Sequence, residues 1–252
     1  MAKKNAHPTS AQALDLLVET LARHSTLSVA DERAMRRLHP RVREVEKGTD
    51  ILRQGDRPHI AVMVISGMLA RYHTIPNGNR QYLSLHIAGD LPDLQSLFLG
   101  MMDHSLCSMD EAQIASFRHT EILALVKRAP SAGLALWRHT LIDGAIFRQA
   151  ITSNGGRSAV ARVAHLFCEQ FTRARAVGSM SGWSCPFPLS QTQIGQLVGL
   201  SLPTVHRATQ LLRKQKCAEV RGGELRILNW RRLGRQAGFD PLYLHADLGE
   251  RS

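Results

Sequence analysis

The 252-residue chain has no apolar run approaching the roughly 18–20 residues needed to cross a bilayer. Its start, Met1-Ala2-Lys3-Lys4-Asn5-Ala6-His7-Pro8, lacks the apolar stretch of a secretory signal. A cytoplasmic protein with no membrane partner is therefore expected. Only four cysteines occur, Cys107, Cys168, Cys185 and Cys217, far apart and never as Cys-x-x-Cys. That argues against a disulfide framework and against a local zinc or iron–sulfur motif, and for free thiols. His-x-His, the Walker loop, Gly-x-Ser-x-Gly and His-Glu-x-x-His are all missing. No catalytic or metal-ligating residue is therefore assigned, and an enzyme is not expected. A cupin-like β-roll metalloenzyme, which would want His-x-His plus an acid, is a remote alternative. There is no internal repeat and no low-complexity tract.

What the chain has in excess is positive charge, a formal net +11. Its 44% hydrophobic content is enough to bury a core. The charge is uneven. Residues 157–235 carry 13 Lys/Arg against 3 Asp/Glu, whereas residues 1–156 are net +3 and residues 236–252 net −2. A basic stretch this localised is the footprint expected for a polyanion partner.

Along the chain, Leu14, Leu17, Val18 and Leu21 fall on one face of a helix over 11–24. Ser28 caps a second helix running to about Leu38. Short runs of β character follow at 42–45, 51–52, 60–65, 68–73, 82–86, 114–117 and 122–126, separated by Gly-rich turns. This is the texture of an antiparallel sandwich or barrel. A short helix is expected over 91–102. Pro130 opens a long helix with Leu134, Trp137, Leu141, Ala145, Arg148 and Ile151 on one side. Such a near-heptad seam suits packing against a second copy, with an intramolecular core helix as the alternative. Gly155-Gly156 is expected to end it in a left-handed cap. In the next helix Val160, Val163, Ala164 and Phe167 are expected inward, and Arg162, Arg173 and Arg175 outward. Residues 177–188 read as a loop.

The segment 189–213 reads as helix, tight turn, helix. Ser190 with Gln193 fits a capping box. Gly199 takes the turn, Ser201 caps the second helix, and Pro203 sits in its first turn. The outer face keeps Thr204, His206, Arg207, Gln210, Arg213 and Lys214. Donors and cations without a carboxylate suit phosphates and base edges. Two β runs joined by Gly222-Gly223 follow, a two-residue hairpin signal. Helix–turn–helix plus hairpin is a winged helix–turn–helix.

With these motifs in order, the chain resembles the Crp/Fnr family of transcription regulators over about residues 40–245. The resemblance rests on Leu52-Arg-Gln-Gly-Asp56, Val64-Ile-Ser-Gly-Met-Leu69, His86-Ile-Ala-Gly-Asp90, Pro188-Leu-Ser-Gln-Thr-Gln-Ile-Gly195, Val198-Gly-Leu-Ser201, Thr204-Val-His-Arg207 and Gly238-Phe-Asp-Pro-Leu-Tyr-Leu-His245. It implies an α+β fold with an antiparallel, jelly-roll-like β-roll sensor (39–129), a dimerisation helix (130–155) and a winged helix–turn–helix (156–235), to which the apolar spacing adds N-terminal helices (1–38) and the remaining residues a tail (236–252). It implies a homodimer on a near-palindromic site in double-stranded DNA, with RNA polymerase as a candidate partner. DNA contacts are expected from Ser190, Gln191, Thr192, Ser201, Leu202, Pro203, Thr204, His206, Arg207, Gln210 and Arg213. The base-reading positions fall on Leu202, Pro203, His206 and Arg207. Arg207 matches the family and Pro203 replaces its usual acid.

The effector-pocket positions fall on Asp93, Leu94, His104 and Ser105. Cyclic-AMP-binding members carry Gly-Glu where Asp93-Leu94 stand, and the arginine that holds the cyclic phosphate where His104 stands. A cyclic phosphate needs a fixed cation and amide donors, so the signal is expected not to be cyclic AMP. The clustered N-terminal cysteines of the oxygen-sensing branch are absent, which argues against an iron–sulfur cluster. Haem stays open, with His73, His86 and His104 as possible ligands that no spacing selects. A constitutive or protein-gated regulator with a vestigial pocket is the alternative to an unidentified signal.

Overall fold

The computed structural model describes residues 9–245. In chain order its elements begin with α1 (Ser10–Ala22), α2 (Val29–Met35), β1 (Arg41–Val45), β2 (Asp50–Leu52), β3 (Ile60–Ser66), β4 (Leu69–Thr74) and β5 (Arg80–His86). There follow α3 (Ser96–Leu99), β6 (Ser105–Ser108), β7 (Ala112–Arg118), α4 (His119–Arg128), α5 (Pro130–Gly156) and α6 (Ala159–Ala176). The last are β8 (Ser184–Pro186), α7 (Gln191–Val198), α8 (Leu202–Lys214), β9 (Ala218–Arg221), β10 (Glu224–Ile227) and α9 (Trp230–Ala237), then a 3₁₀ turn at Pro241–Leu244. The chain divides into two compact units. Of the described residues, one holds those up to Leu69 with His86–Thr140, the other Ala70–Leu85 with those from Leu141 on.

In the first unit β7 pairs antiparallel with β1 on one side and β3 on the other, and β2 pairs antiparallel with β6. Strand β3 is apolar at almost every position because both of its faces are covered. Ala61 and Met63 join the cluster that holds Leu14, Leu17, Val18 and Leu21 of α1 and Ile122 and Leu125 of α4. Val62 and Val64 join Leu106 and Ile114 on the opposite face. Helices α1 and α2 open with reciprocal capping boxes, Thr9 with Gln12 and Ser28 with Asp31. Each box satisfies amides that the first turn leaves unpaired.

The second unit contains the β4–β5 hairpin, α6 and a three-stranded sheet of order β8-β10-β9. Helix α6, capped by Ser158, is its axis, with Val163, Ala164, Phe167 and Phe171 buried. Phe167 meets Phe187 edge-on, and the Phe171 ring is stacked on Trp183 with centroids 5.7 Å apart.

The expected α+β architecture is present, with several local corrections. Residues 122–126 are helical, not extended. Ile122, Leu125 and Val126 have the i, i+3, i+4 spacing of a helix face, and Lys127 and Arg128 complement the negative end of α4. Of the expected helix over 91–102 only Ser96–Leu99 is regular, because Asp93 is drawn into the core to accept the Val62 amide at 2.7 Å. Residues 105–108 form a strand that Ser and Cys disguised. Gly155 and Gly156 stay helical rather than left-handed, and the chain turns at extended Ser158 instead. The loop over 177–188 contains β8, which extends the wing sheet through Leu225↔Cys185. Arg173, expected outward, is buried and donates to the Leu85 carbonyl at 2.9 Å. Residues 237–244 pack on α6: Ala237 and Leu244 are buried, and Phe239 and Tyr243 flank the His165 ring. The N-terminal residues 1–8 and the end of the expected tail, 246–252, lie outside the described residues.

Candidate nucleic-acid interface

Helix α7 starts where its capping box says it should. The Gln193 amide donates to Ser190 Oγ at 3.2 Å and the Ser190 amide to Gln193 Oε1 at 2.8 Å. Ile194 and Val198 are buried. Gly199 ends the helix with φ +66°, a left-handed conformation that costs glycine little. Helix α8 begins after extended Ser201, whose carbonyl accepts the amides of Thr204 and Val205 at 3.0 Å each. The Ser201 side chain does not cap the helix as expected. Its hydroxyl instead bonds Thr204 Oγ1 at 2.9 Å. Pro203, at the second helical position, removes an amide that the first turn could not have paired.

Val205, Ala208 and Leu212 bury the inner face of α8. Its outer face presents His206, Arg207, Gln210, Arg213 and Lys214, all exposed and without a carboxylate among them. Arg207 is not free to wander: its Nη2 donates to Thr204 Oγ1 at 3.2 Å, so Ser201, Thr204 and Arg207 form a chain of bonds along one edge. His206 Nδ1 stands 3.3 Å from Gln191 Oε1, linking the outer edges of α7 and α8. Ser190, Thr192, Leu202 and Pro203 are exposed beside them. At the far end Arg213 Nε lies 3.5 Å from Glu219 of β9. The wing that follows turns through Gly222 and Gly223, both at positive φ, as a tight two-residue hairpin requires. Arg221 and Arg226 are exposed on it. A convex helix rich in donors and cations, flanked by a basic hairpin, can present bidentate donors to base edges and charges to phosphates.

The expected effector-pocket residues are engaged internally. Asp93 is fully buried on the Val62 amide, and Leu94 is part of the core cluster. His104 Nδ1 is 2.6 Å from Asp103, and Ser105 Oγ accepts the Gln54 amide at 3.0 Å. His86 is buried, with Nδ1 3.7 Å from Asp90. The four cysteines are free thiols and buried. Burial pushes the Cys168 thiol up to about 12 and the Cys185 thiol up to about 11.

Two long-range ties were invisible in the sequence, because nothing local marks them. Gln81 of the hairpin donates through Nε2 to the Gln196 carbonyl of α7, and Arg173 of α6 holds the Leu85 carbonyl of β5.

Comparison with known proteins decides the family. A Crp-like helix-turn-helix domain matches residues 161–236 and a cyclic nucleotide-binding domain matches residues 42–129. The chain belongs to the Crp/Fnr family. This Crp/Fnr protein is 24% identical to the transcriptional activator protein FnrA of Stutzerimonas stutzeri, over 81% of its own length and 83% of that protein. It is also 24% identical to the nitrogen fixation regulation protein FixK of Bradyrhizobium diazoefficiens, over 88% of this chain and 91% of that one. Its fold is similar to the solved structure of FixK2 from Bradyrhizobium japonicum, with a TM-score of 0.71 at 20% identity, covering 81% of this chain and all of that one. The Crp/Fnr chain is thus a DNA-binding transcriptional regulator and not an enzyme. Among the described residues no helix is long and apolar enough to cross a membrane.

Proposed function

We propose that this regulator works as a homodimer on a near-palindromic DNA site, each copy laying α8 in a major groove, under a signal other than cyclic AMP. The observation that carries the DNA reading is the outer face of α8. It combines a pre-oriented guanidinium at Arg207 with His206, Gln210 and Arg213 and keeps acids off the face. Arg207 is the base-reading donor, placed to bond guanine through both nitrogens. Ser190, Gln191 and Thr192 at the start of α7 meet phosphate, where helix amides and the dipole favour negative charge. Leu202, Pro203 and His206 alter the base preference relative to family members with an acid at position 203.

Dimerisation is supported by the outer side of α5. Leu134, Trp137, Leu141 and Ile151 are more than half exposed, and Arg148 is exposed between them. Ala145 is the exception, turned into its own chain and buried. A row of large apolar groups left in water along one helix is the surface a second copy would cover. The closed bonding of Asp93, His104 and Ser105 supports a signal other than cyclic AMP, or a gate supplied by another protein. Relatives named as transcriptional activators make RNA polymerase a candidate partner.

Selection of bound sequences from a random DNA pool by the full chain tests this reading. A two-fold related pair of half-sites about one helical turn apart is expected. Recovery of unrelated sequences, or of a single half-site, would overturn it.

A further inference from the structure

We infer that the second unit holds a binding site for a small neutral hydrogen-bond donor, in a cavity walled by β5, α5, α6 and α7. The cavity is about 50 Å³ and is reached by Leu85 of β5, Ser153 of α5, Gln170 of α6 and Leu197 of α7. On this measure one water needs roughly 10–15 Å³. The space therefore suits a few waters, or one small neutral molecule carrying an N–H or O–H.

The demand for a donor comes from Gln170. Its side chain is 2% exposed, and its Oε1 has no hydrogen-bond partner. The amide cannot simply be turned over. Its Nε2 faces Glu169 Oε1 at 3.5 Å, and a flip would set oxygen against a carboxylate. A buried acceptor left without a donor loses the bonds that water gave it in the unfolded chain, so such groups are nearly always satisfied by something. Empty cavities are lined by apolar groups. This one is lined in addition by Ser84 and Ser153, both buried polar residues.

The charges around the space select a neutral guest. Arg162 and Glu169 both line it and carry opposite charges, and Glu169 Oε1 lies 3.9 Å from the Arg173 guanidinium. Arg162 is already engaged, donating to the carbonyls of Arg157 at 2.9 Å and Val198 at 3.5 Å. Glu169 accepts the Tyr243 hydroxyl at 2.8 Å. His165 adds no charge near neutrality, because burial beside Arg157 holds its pKa down to about 4.

The site's consequence rests on the DNA-reading assignment above. One wall is α7, the first helix of the helix–turn–helix, and another is β5, which Arg173 ties to α6. A guest that bonds Gln170 favours the arrangement in which these walls stand together over any arrangement in which they part. The site is therefore placed to set the poise of the reading head.

The test uses the uniformly ¹⁵N-labelled full chain, titrated separately with formamide, a small neutral donor, and with xenon, which cannot hydrogen-bond. Formamide is expected to shift the amide resonances of residues 83–85 and the side-chain resonance of Gln170, with a Kd of about 1 mM or weaker, as its few atoms allow. Xenon should leave them unmoved. Gln170→Leu should weaken the formamide response at least tenfold and admit xenon. Xenon entering the wild-type cavity, no formamide response far above that concentration, or an undiminished response in Gln170→Leu would each overturn the site. If Gln170→Leu does not fold, the wild-type contrast between the two probes decides alone. No readout involves DNA, so failure here leaves the DNA-reading assignment standing, and failure of that assignment leaves the cavity result intact.

Discussion

The Leu200 carbonyl oxygen stands against the place a Cβ would take on Gly195, while the Leu200 amide donates to the Gly195 carbonyl at 2.9 Å. The turn between α7 and α8 is closed by backbone pressed on backbone, and only a residue without a side chain permits it. Gly195 is helical, so its requirement is space and not an unusual φ. Gly195→Val should destabilise the chain by at least about 1–3 kcal/mol in urea unfolding, because backbone atoms cannot yield as a flexible side chain would. Specific DNA binding should fall with it. Gly234→Ala in α9, where nothing lies within 4 Å of the new methyl, is the control. That change should be neutral or stabilising by up to about 1 kcal/mol. Equal effects at the two positions would contradict the packing argument.

Arg207 and Thr204 give a second prediction. Arg207→Ala should cost about 1–3 kcal/mol on the selected site and relax the base preference at one position of each half-site. Thr204→Val keeps the guanidinium but removes the oxygen that orients it, and should cost less. Equal losses for Arg207→Ala on selected and random DNA, measured at one salt concentration, would mean that Arg207 touches only phosphate.

The exposed row on α5 predicts a change of assembly. The wild-type chain should scatter light as a dimer at micromolar concentration. Leu141→Glu places a charge in the middle of the row, at a position 52% exposed in the single chain, so its fold should survive. That variant should scatter as a monomer and lose most of its affinity for the two-half-site DNA while keeping weak non-specific binding. A wild-type monomer would sink the assignment of this face.

The sequence disclosed elements whose signals are local and failed where distant contacts decide. Ser190 and Gln193 announced α7 because a capping box is written within four residues, and Gly222-Gly223 announced the wing for the same reason. Residues 122–126 misled because five residues span too little of the i, i+3, i+4 pattern to separate it from a strand, and burial of Ile122 and Leu125 in the cluster that also holds α1 and β3 residues decides for helix. Arg173 looked like a solvated residue at a helix end. Its partner, the Leu85 carbonyl, lies 88 residues away, and no local pattern announces such a bond. The aromatic packing of residues 237–244 on His165 was equally hidden. Three rings that meet only after folding leave no spacing rule behind.

That packing carries the last prediction. Gln149 Nε2 lies 3.1 Å from His165 Nε2. With its amide nitrogen toward the ring Gln149 donates and His165 Nε2 accepts, the arrangement of a neutral imidazole. Phe239 and Tyr243 cover the ring, and burial followed by the nearby charge of Arg157 holds its pKa down to about 4. In the unfolded chain the same ring titrates near 6.5. Between these values the unfolded state binds a proton that the folded state refuses. This contribution to stability is therefore complete above pH 6.5 and is lost as pH falls toward 4. The loss is at most about 3 kcal/mol. Urea midpoints measured from pH 7 to pH 4.5 should fall more steeply for the wild type than for His165→Gln, which keeps an acceptor within reach of Gln149 but has no proton to take up. Carboxylates titrate at the low end of this range in both proteins, so the difference between the two curves isolates His165. Parallel curves would mean that the ring is charged in the folded state and that the bond from Gln149 is not made.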